Sequence, residues 1–329
     1  MSARPQLQVI VNANASGVDS VRSVIRDARE ALEHAGARAS AVATRSLEEL
    51  ASVIADTGDR RLVLVGGDGA VHAAANAGLG GEFALLPADK ANNIAHALGL
   101  PREWDPAAAL AVSESARPLD LLAVQTPRQR VLAVEGVSAG FQAAARSGYT
   151  GENSADMAAG VAALLRALAH HHPYDAELLV DGRALSVTTS QLFVSNMRLF
   201  GYGFQVAPDA LPDDGQADLV VLPPLSRARI LPALARVRRG EHLSDERVLA
   251  RRVHRVEIQT PVPLVADAEV LGTATATIDL VPGALRLARP VRPARRVLLD
   301  VGERDAIRVA RAGARERAWA VGAAPARVI

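Results

Sequence analysis

The sequence predicts an α/β protein in which an open, mostly parallel sheet is followed by a β-sandwich-like domain. Up to about residue 120, short apolar runs alternate with segments of helical spacing, an order typical of parallel sheets covered by helices. Beyond that point, many short apolar runs are separated by Gly and Pro turns, which indicates an antiparallel sandwich. We therefore divide the chain into residues 1–120, residues 121–290 and an Arg- and Ala-rich C-terminal extension, residues 291–329, that could pack on the first domain.

The first domain contains four predicted strands, each followed by a helical segment. The strands are residues 7–11, 37–43, 62–65 and 83–86, and the helices are residues 18–35, 47–55, 71–77 and 91–98, with a further helix that begins at Pro106 behind the N-cap Asp105. Because ligands bind at the carboxyl ends of parallel strands, the loops that begin at Asn12, Thr44, Gly66 and Pro87 should converge on one edge of the sheet.

The second domain is predicted to consist mainly of short strands. They are residues 121–125, 131–137, 176–180, 185–188, 192–196, 219–222, 253–259, 274–280 and 284–287, with helices near residues 155–169 and 227–238. The pair Asp181-Gly182 predicts a tight hairpin turn between two of these strands.

The composition excludes several classes of protein. The chain of 329 residues has a net charge of +1, which gives no support for a nucleic-acid partner. It contains no cysteine, so disulfides, thiolate catalysis and cysteine-based metal sites are excluded. No apolar run reaches the roughly 18 residues of a transmembrane segment, and the first residues lack the apolar region of a signal peptide. We expect a cytoplasmic protein, with peripheral association at the inner membrane face left open.

A glycine-rich turn follows the third predicted strand. Its sequence is Gly66-Gly67-Asp68-Gly69, and it leads into an Ala-rich helix. Glycine lets a ligand approach the backbone closely, and the N–H groups at a helix N-terminus bind anions. A carboxylate repels phosphate unless it orients a metal ion or a hydroxyl, so Asp68 indicates a nucleotide-phosphate turn with Mg²⁺. A tight strand–helix turn without a ligand is the alternative.

The glycine turn is one of several motifs that occur in a particular order along the chain. The others are the turn at Asn12, Pro87 with Asn92, Ala207-Pro208 with Asp213-Asp214-Gly215, Asp267 with Glu269, and residues 281–286. Together they resemble the diacylglycerol kinase catalytic family, which includes bacterial lipid kinases and sphingosine and ceramide kinases, over roughly residues 7–290. The resemblance implies a nucleotide domain and a β-sandwich-like domain, with ATP and a lipid meeting in the cleft.

The resemblance also implies a role for each matching residue. Glu269 is the catalytic base that takes the proton from a lipid hydroxyl, and Asp68 is the catalytic carboxylate that orders Mg²⁺ and its waters. The Mg²⁺ loop uses the Asp214 carboxylate and the backbone carbonyls of Leu211 and Gln216, since oxygen-only ligands suit this ion. The residues that hold ATP are Asn12, Thr44, Gly66, Gly67, Asp68, Gly69, Ala70, Val71, His72 and Asn92.

The phosphate-binding loops depart from the family pattern. Ala70 stands in place of a threonine, and Asp89, Lys90 and Asn93 stand in place of a glycine, a threonine and an aspartate. Lys90 is the only lysine in the chain, and it could bind the ATP phosphates as a point charge. Alternatively, Asp89 and Lys90 pair with each other and fill the phosphate pocket, which would impair catalysis.

The acidic motif of the second domain departs from the family in one residue. Ala268 replaces the glycine of Asp-Gly-Glu, between Asp267 and Glu269. If that position has a positive φ, Ala268 strains the turn by roughly 1–2 kcal/mol.

An aromatic segment, residues 199–204, precedes the predicted Mg²⁺ loop in a chain with only 3% aromatic residues. One interpretation is packing in the core of the second domain. The other is a lipid-facing lip beside the cleft, and the sequence leaves both open.

The first functional hypothesis is an ATP-dependent lipid kinase that transfers the γ-phosphate to a hydroxyl of a diacylglycerol-like or sphingoid lipid. It needs ATP and Mg²⁺, and its partner is a lipid substrate at the membrane surface; a homodimer is left open. The second hypothesis is a catalytically impaired relative that binds nucleotide or lipid. An NAD kinase is a third hypothesis, because that family shares Gly-Gly-Asp-Gly, but its Asn-Glu motif is missing from the second domain.

Overall fold

The computed structural model of the chain describes residues 5–13, 21–58, 60–89, 92–113, 116–149, 157–201 and 203–290. The described residues up to Pro290 form one compact unit. The C-terminal extension, Lys90 and Tyr202 lie outside the described residues. The predicted packing of the extension therefore stays a prediction. The predicted division of the chain at residue 120 stays a prediction as well.

The N-terminal part is a parallel sheet with alternating helices, as predicted. Its strands lie in the order β2-β1-β3-β4, and each neighbouring pair is parallel. The elements are β1 (Gln6–Asn12), α1 (Val21–His34), β2 (Arg38–Thr44), α2 (Leu47–Asp56), β3 (Arg61–Gly66), α3 (Asp68–Asn76), β4 (Glu82–Pro87), α4 (Asn93–Leu98) and α5 (Trp104–Ser113). The Ser46 side chain caps α2 by accepting a hydrogen bond from the Glu49 N–H, so this predicted N-terminus is confirmed.

The C-terminal part is built mainly from antiparallel strands, with three helices and one 3-10 turn. The elements are β5 (Ala116–Gln125), β6 (Arg130–Ala133), β7 (Gly136–Gly140), α6 (Phe141–Ser147), α7 (Met157–His170), β8 (Tyr174–Val180), β9 (Arg183–Thr189), β10 (Gln191–Ser195), β11 (Ala217–Leu222), α8 (Arg227–Arg238), a 3-10 helix (His242–Ser244), β12 (Leu249–Val253), β13 (Arg255–Ala266) and β14 (Glu269–Ala288). No helix of the described residues is long and apolar enough to cross a membrane.

Several predicted boundaries were wrong. The predicted strand 131–137 is two strands, because the chain turns at Val134 and Glu135 and donates backbone N–H groups to Asp267. The predicted strands 274–280 and 284–287 are one strand, β14, which pairs with β5. The pairing shifts register between Val281 and Leu285, where Gly283 has a φ of 58°. α6 was not predicted, and α3 begins at Asp68 rather than at Val71.

Strand β14 joins the two parts of the chain. Its C-terminal end pairs in parallel with β4, at Arg286 opposite Glu82 and Leu287 opposite Phe83. Residues 269–279 of β14 pair with β13, and residues 277–288 pair with β5. One buried cluster contains Phe83 from β4 together with Leu119 from β5 and Leu287 from β14. The hydrogen bonds and the core are therefore continuous between the parallel sheet and the antiparallel strands. This continuity brings the start of β14, where the acidic motif lies, against α3.

Candidate active site

The glycine turn lies between β3 and α3, and its glycines are required by close packing. Neither Gly66 nor Gly67 has a positive φ. A Cβ atom at Gly66 would lie 2.6 Å from the Ala70 Cβ, and one at Gly67 would lie 2.3 Å from the Asp89 Cβ. Gly67 is the N-cap of α3, so the first turn of that helix directs backbone N–H groups toward the space beyond the strand ends. The turn can accept an anion, and Asp89 is the side chain that borders it.

Asp68 caps the next helix along the chain. Its two carboxylate oxygens accept the N–H groups of Asn93 and Ile94, each at 2.8 Å, at the start of α4. The pKa of Asp68 is raised from 3.8 to about 6, mainly by burial and further by the charges of Asp89 and Asp267. The two hydrogen bonds lower the pKa, but by less than these effects raise it. The structure thus gives Asp68 a capping role that the sequence did not indicate, and its role toward Mg²⁺ stays a prediction.

Asp267 connects the second part of the chain to α3. One oxygen of its carboxylate accepts the Glu135 and Gly136 N–H groups at 2.8 and 3.0 Å, and the other accepts the Val134 N–H at 2.8 Å. The second oxygen also lies 2.8 Å from His72 Nδ1. The positive φ of this turn is at Asp267, at 50°, and Ala268 is not among the left-handed residues. The strain considered for Ala268 is therefore absent, and aspartate tolerates the left-handed conformation better than most residues.

His72 bridges the two acidic residues of the motif. Its Nε2 lies 3.2 Å from Glu269 Oε2, while its Nδ1 faces Asp267. Since both ring nitrogens face carboxylate oxygens, only the imidazolium donates to both partners. Burial lowers the pKa of His72, but the hydrogen bonds and charges of Asp267 and Glu269 outweigh burial, so the pKa lies above its usual 6.5. The sequence assigned His72 to ATP, and the structure places it beside the predicted base.

The Glu269 carboxylate is held on both sides and remains accessible. Its Oε1 accepts a hydrogen bond from Gln129 Nε2 at 3.2 Å, opposite the His72 contact on Oε2. The Glu269 side chain is 40% exposed, whereas that of Asp267 is 6% exposed. Glu269 can therefore reach a substrate hydroxyl, and Asp267 cannot.

Glu135 is a buried acid of the cleft that the sequence analysis missed. Its Oε2 accepts hydrogen bonds from Asn93 Nδ2 and from the Gly201 N–H, each at 3.1 Å. Burial raises its pKa well above the usual 4.5, and the charges of Asp68 and Asp267 raise it further. Glu135 is the only charged residue in the apolar run 131–137, and this isolation was a signal that could have identified it.

The predicted Mg²⁺ loop lies beside Asp120, which was not predicted. The Asp120 carboxylate accepts the N–H groups of Gly215 and Gly283, at 2.8 and 2.7 Å. Burial raises the pKa of Asp214, and the charges of Asp120 and Asp213 raise it too, although the Gln216 N–H and Arg252 lower it. These crowded carboxylates are a suitable environment for a cation. Among the described residues, however, no three His, Cys, Asp or Glu side chains form a metal-binding group, so Asp214 would need the predicted carbonyl ligands of the loop.

The remaining predicted site residues lie at the edge of the parallel sheet. Asn12 and Thr44 are register partners at the carboxyl ends of β1 and β2, and Thr44 is buried. Asn92 is buried at a φ of 46°, and its Oδ1 has no hydrogen-bond partner among the described residues. The ATP-binding roles of these residues, and of Gly69, Ala70 and Val71 in α3, stay predictions.

The aromatic segment packs partly into the core. Leu199 is 8% exposed and Phe200 is 1% exposed, and the Phe200 ring contacts that of Phe193. Core packing is therefore the correct interpretation for these two residues. The backbone at Gly201 nevertheless lines the cleft, because it bonds to both Asn93 and Glu135.

Two family patterns match nearly all of the described chain. The pattern of the diacylglycerol kinase catalytic domain matches residues 6–124. The pattern of the YegS C-terminal NAD kinase beta sandwich-like domain matches residues 135–289. The acidic residues of the cleft come from both matched regions.

Curated relatives and a solved structure agree with these patterns. The chain is similar to a "Probable lipid kinase YegS-like" from Stenotrophomonas maltophilia, at 28% identity over 303 residues that cover 87% of this chain and 96% of that protein. It is 31% identical over 243 residues to a protein of the same name from Pseudomonas fluorescens, covering 71% of this chain and 78% of that one. A "Diacylglycerol kinase" from Mycobacterium tuberculosis is 27% identical over 255 residues, covering 73% and 80%. The crystal structure of a diacylglycerol kinase from Bacillus anthracis has the same fold, with a TM-score of 0.65 at 15% identity over 89% of this chain and 99% of that chain.

The buried acids predict that stability falls as pH rises. An acid whose pKa is raised in the folded state keeps its proton longer when folded, so folding loses stability as pH rises from the unfolded to the folded pKa. Glu135 and Asp68 both have this sign. The window runs from pH 3.8 to about pH 6 for Asp68, and for Glu135 it starts at pH 4.5 and extends well above it. We expect Glu135→Gln, which keeps the acceptor and removes the charge, to melt at a higher temperature than the wild type at pH 8 and to differ less at pH 5.

Thermal melts at a series of pH values measure this difference. Glu48→Gln is the matched control, because Glu48 lies exposed on α2 and its replacement should shift the melting temperature little at any pH. A Glu135→Gln variant that is destabilised equally at pH 5 and pH 8 would show that Glu135 is not a buried, protonated acid.

Proposed function

Because the chain belongs to the diacylglycerol kinase catalytic family, together with the YegS-like lipid kinases, we propose that it transfers the γ-phosphate of ATP to a hydroxyl of a diacylglycerol-like or sphingoid lipid. The observation that carries this proposal is the contact between the two parts of the chain at the glycine turn. His72, four residues after Asp68 on α3, holds Glu269 at 3.2 Å from its Nε2. An accessible carboxylate is thus positioned beside a turn suited to phosphate.

Glu269 acts as the general base in this proposal. It accepts the proton of the lipid hydroxyl as the hydroxyl oxygen forms a bond to the γ-phosphorus of ATP. The bond between that phosphorus and the bridging oxygen to the β-phosphate breaks, and ADP leaves with the electron pair. His72 and Gln129 keep the base in one orientation, since each contacts a different oxygen of Glu269.

The residues present fit ATP and a divalent cation in two respects. Gly66 and Gly67 bring the backbone close to the space in front of α3, where its N–H groups can bind phosphate oxygens. The oxygen ligands proposed for Mg²⁺ are the Asp214 carboxylate and the carbonyls of Leu211 and Gln216. When bound, the ion supplies positive charge that neutralises neighbouring carboxylates or phosphate.

Asp89 acts against nucleotide binding. Its carboxylate lies against Gly67, and a Cβ placed there would be 2.7 Å from the nearer Asp89 oxygen. A negative charge at that position repels a triphosphate. We therefore expect moderate affinity for ATP with a requirement for a divalent cation.

Glu269→Gln tests the base directly. The amide keeps the shape of the side chain and one of its two acceptor oxygens but cannot take a proton, so phosphate transfer should fall by about 10²–10⁴-fold, with little change in the affinity for ATP. The measurement is transfer of labelled γ-phosphate from ATP to dispersed diacylglycerol or sphingosine in the presence of Mg²⁺. Glu48→Gln serves as the control. Full activity of Glu269→Gln would contradict the assignment of the base, and an inactive wild type would contradict the kinase itself.

His72→Asn tests the positioning of that base. While the imidazolium persists, it donates to both carboxylates, so the wild type should exceed the variant in kcat by about tenfold at pH 6. As pH rises through the raised pKa of His72, the wild type loses one donor and the two rates should converge. The pH dependence of kcat for both proteins measures this. A ratio that stays constant with pH would show that His72 serves only in packing.

A further inference from the structure

Helix α7 has an apolar outer face, with Arg166 at its edge. Val161 is 50% exposed and Leu165 is 57% exposed, and they lie one turn apart on the same side of the helix. Ala158, Ala162 and Ala169 are exposed on the same face. Single exposed apolar residues need no explanation, but a continuous apolar face marks a surface that binds something.

The opposite face of α7 already provides its packing. Ala163 is buried, and Leu164, Ala167 and Leu168 pack against a cluster that includes Ile230 of α8. The outer face is therefore not needed to hold the helix in place.

The neighbouring helix is strongly basic. α8 contains Arg227, Arg229, Arg236 and Arg238, and neither α7 nor α8 contains an acidic residue. Leu231 of α8 is 45% exposed and lies at helical spacing from Arg227 and Arg238 on one side of the helix. Arg227 bonds to the His171 carbonyl and contacts His172, directly after the end of α7. Apolar and cationic side chains therefore occupy adjoining helices.

The C-terminal end of α8 lies next to the cleft. The Arg238 guanidinium lies 5.8 Å from the centre of the Phe204 ring, and Phe204 pairs with Phe200 through backbone hydrogen bonds. Between these two residues, Gly201 bonds to Asn93 and Glu135 in the cleft. A lipid that left a membrane under α7 and α8 would enter at the edge of the proposed active site.

We propose that α7 and α8 form a docking surface for the face of an anionic phospholipid bilayer. Val161, Leu165 and Leu231 enter the boundary between headgroups and acyl chains, and Arg227 and Arg238, on the same side of α8 as Leu231, contact the lipid phosphates. Asp245 pairs with Arg236, on the other side of α8, and neither helix contains an acidic residue of its own. The side that carries Arg227, Leu231 and Arg238 therefore favours an anionic bilayer over a protein partner with mixed charge. This inference deepens the proposed function by naming the surface that would bring the kinase to its lipid. It rests on the proposed function only in assuming that the substrate comes from the membrane.

Co-sedimentation of the full chain with vesicles tests the proposal. We expect binding to vesicles of phosphatidylcholine mixed with phosphatidylglycerol, weaker binding to phosphatidylcholine alone, and loss of binding as salt rises. Leu165→Asp and Val161→Asp should each lower the partition coefficient about tenfold. In the double variant Arg227→Gln with Arg238→Gln, each removed positive charge should lower the partition coefficient about fivefold or more at low salt.

Leu47→Asp is the matched control. Leu47 is 55% exposed at the start of α2, and the substitution makes the same change in charge and polarity away from the docking surface. It should bind vesicles as the wild type does. Because neither Leu165 nor Val161 is buried, circular dichroism should show that all three aspartate variants are folded. If one of the two variants on α7 failed to fold, the other would still test the surface.

Wild-type binding by both Leu165→Asp and Val161→Asp would overturn the proposal, as would a full chain that binds neither kind of vesicle. If the chain binds no vesicles and Leu165→Asp converts a dimer to a monomer in ultracentrifugation, the face joins two copies of the chain and the proposal is wrong. Vesicle binding is measured without ATP. A failed phosphate-transfer assay would therefore contradict the proposed function and leave the docking surface standing.

Discussion

The site depends on one buried carboxylate, that of Asp267. It accepts three backbone N–H groups from the turn between β6 and β7 and contacts His72 on α3. Each such hydrogen bond to a charged group contributes about 1.5–3 kcal/mol relative to leaving the donor unpaired. The carboxylate thereby fixes the turn that carries Glu135 and places His72 against Glu269. Without it, the turn between β6 and β7 would lose the acceptor of three N–H groups, and Glu269 would be the one remaining carboxylate partner of His72.

The cleft concentrates negative charge before any nucleotide binds. The charge of Asp267 raises the pKa of both Asp68 and Glu135, and burial favours the protonated forms of these two acids. The imidazolium of His72 compensates two of the carboxylates, those of Asp267 and Glu269. A triphosphate therefore needs the N–H groups of α3 and a divalent cation to bind here, whereas a neutral lipid hydroxyl meets no such repulsion. Association of the basic α8 surface with anionic lipid would keep that hydroxyl close.

Local patterns predicted the fold well, and long-range contacts limited the prediction of the site. The alternation of apolar runs gave the strands of the parallel sheet because buried parallel strands are continuously apolar. The break at Val134 and Glu135 was not predictable from periodicity, since Asp267, 132 residues away from Glu135, causes it. For the same reason the sequence assigned His72 to ATP, whereas its partners Asp267 and Glu269 lie 195 and 197 residues further along the chain. The glycine motif was predicted, but the close packing of Asp89 on Gly67 requires coordinates.

Calorimetric titration of the full chain with ATP tests the central claim, that the glycine turn and the acidic motif together form a nucleotide-binding kinase cleft. We expect saturable binding that requires Mg²⁺ and is lost when the cation is chelated. We also expect Asp89→Asn to bind ATP about tenfold more tightly, because a carboxylate near phosphate repels it by about one to a few kcal/mol at the dielectric constant of a protein surface. No detectable binding by either protein at millimolar ATP with Mg²⁺ would contradict the account.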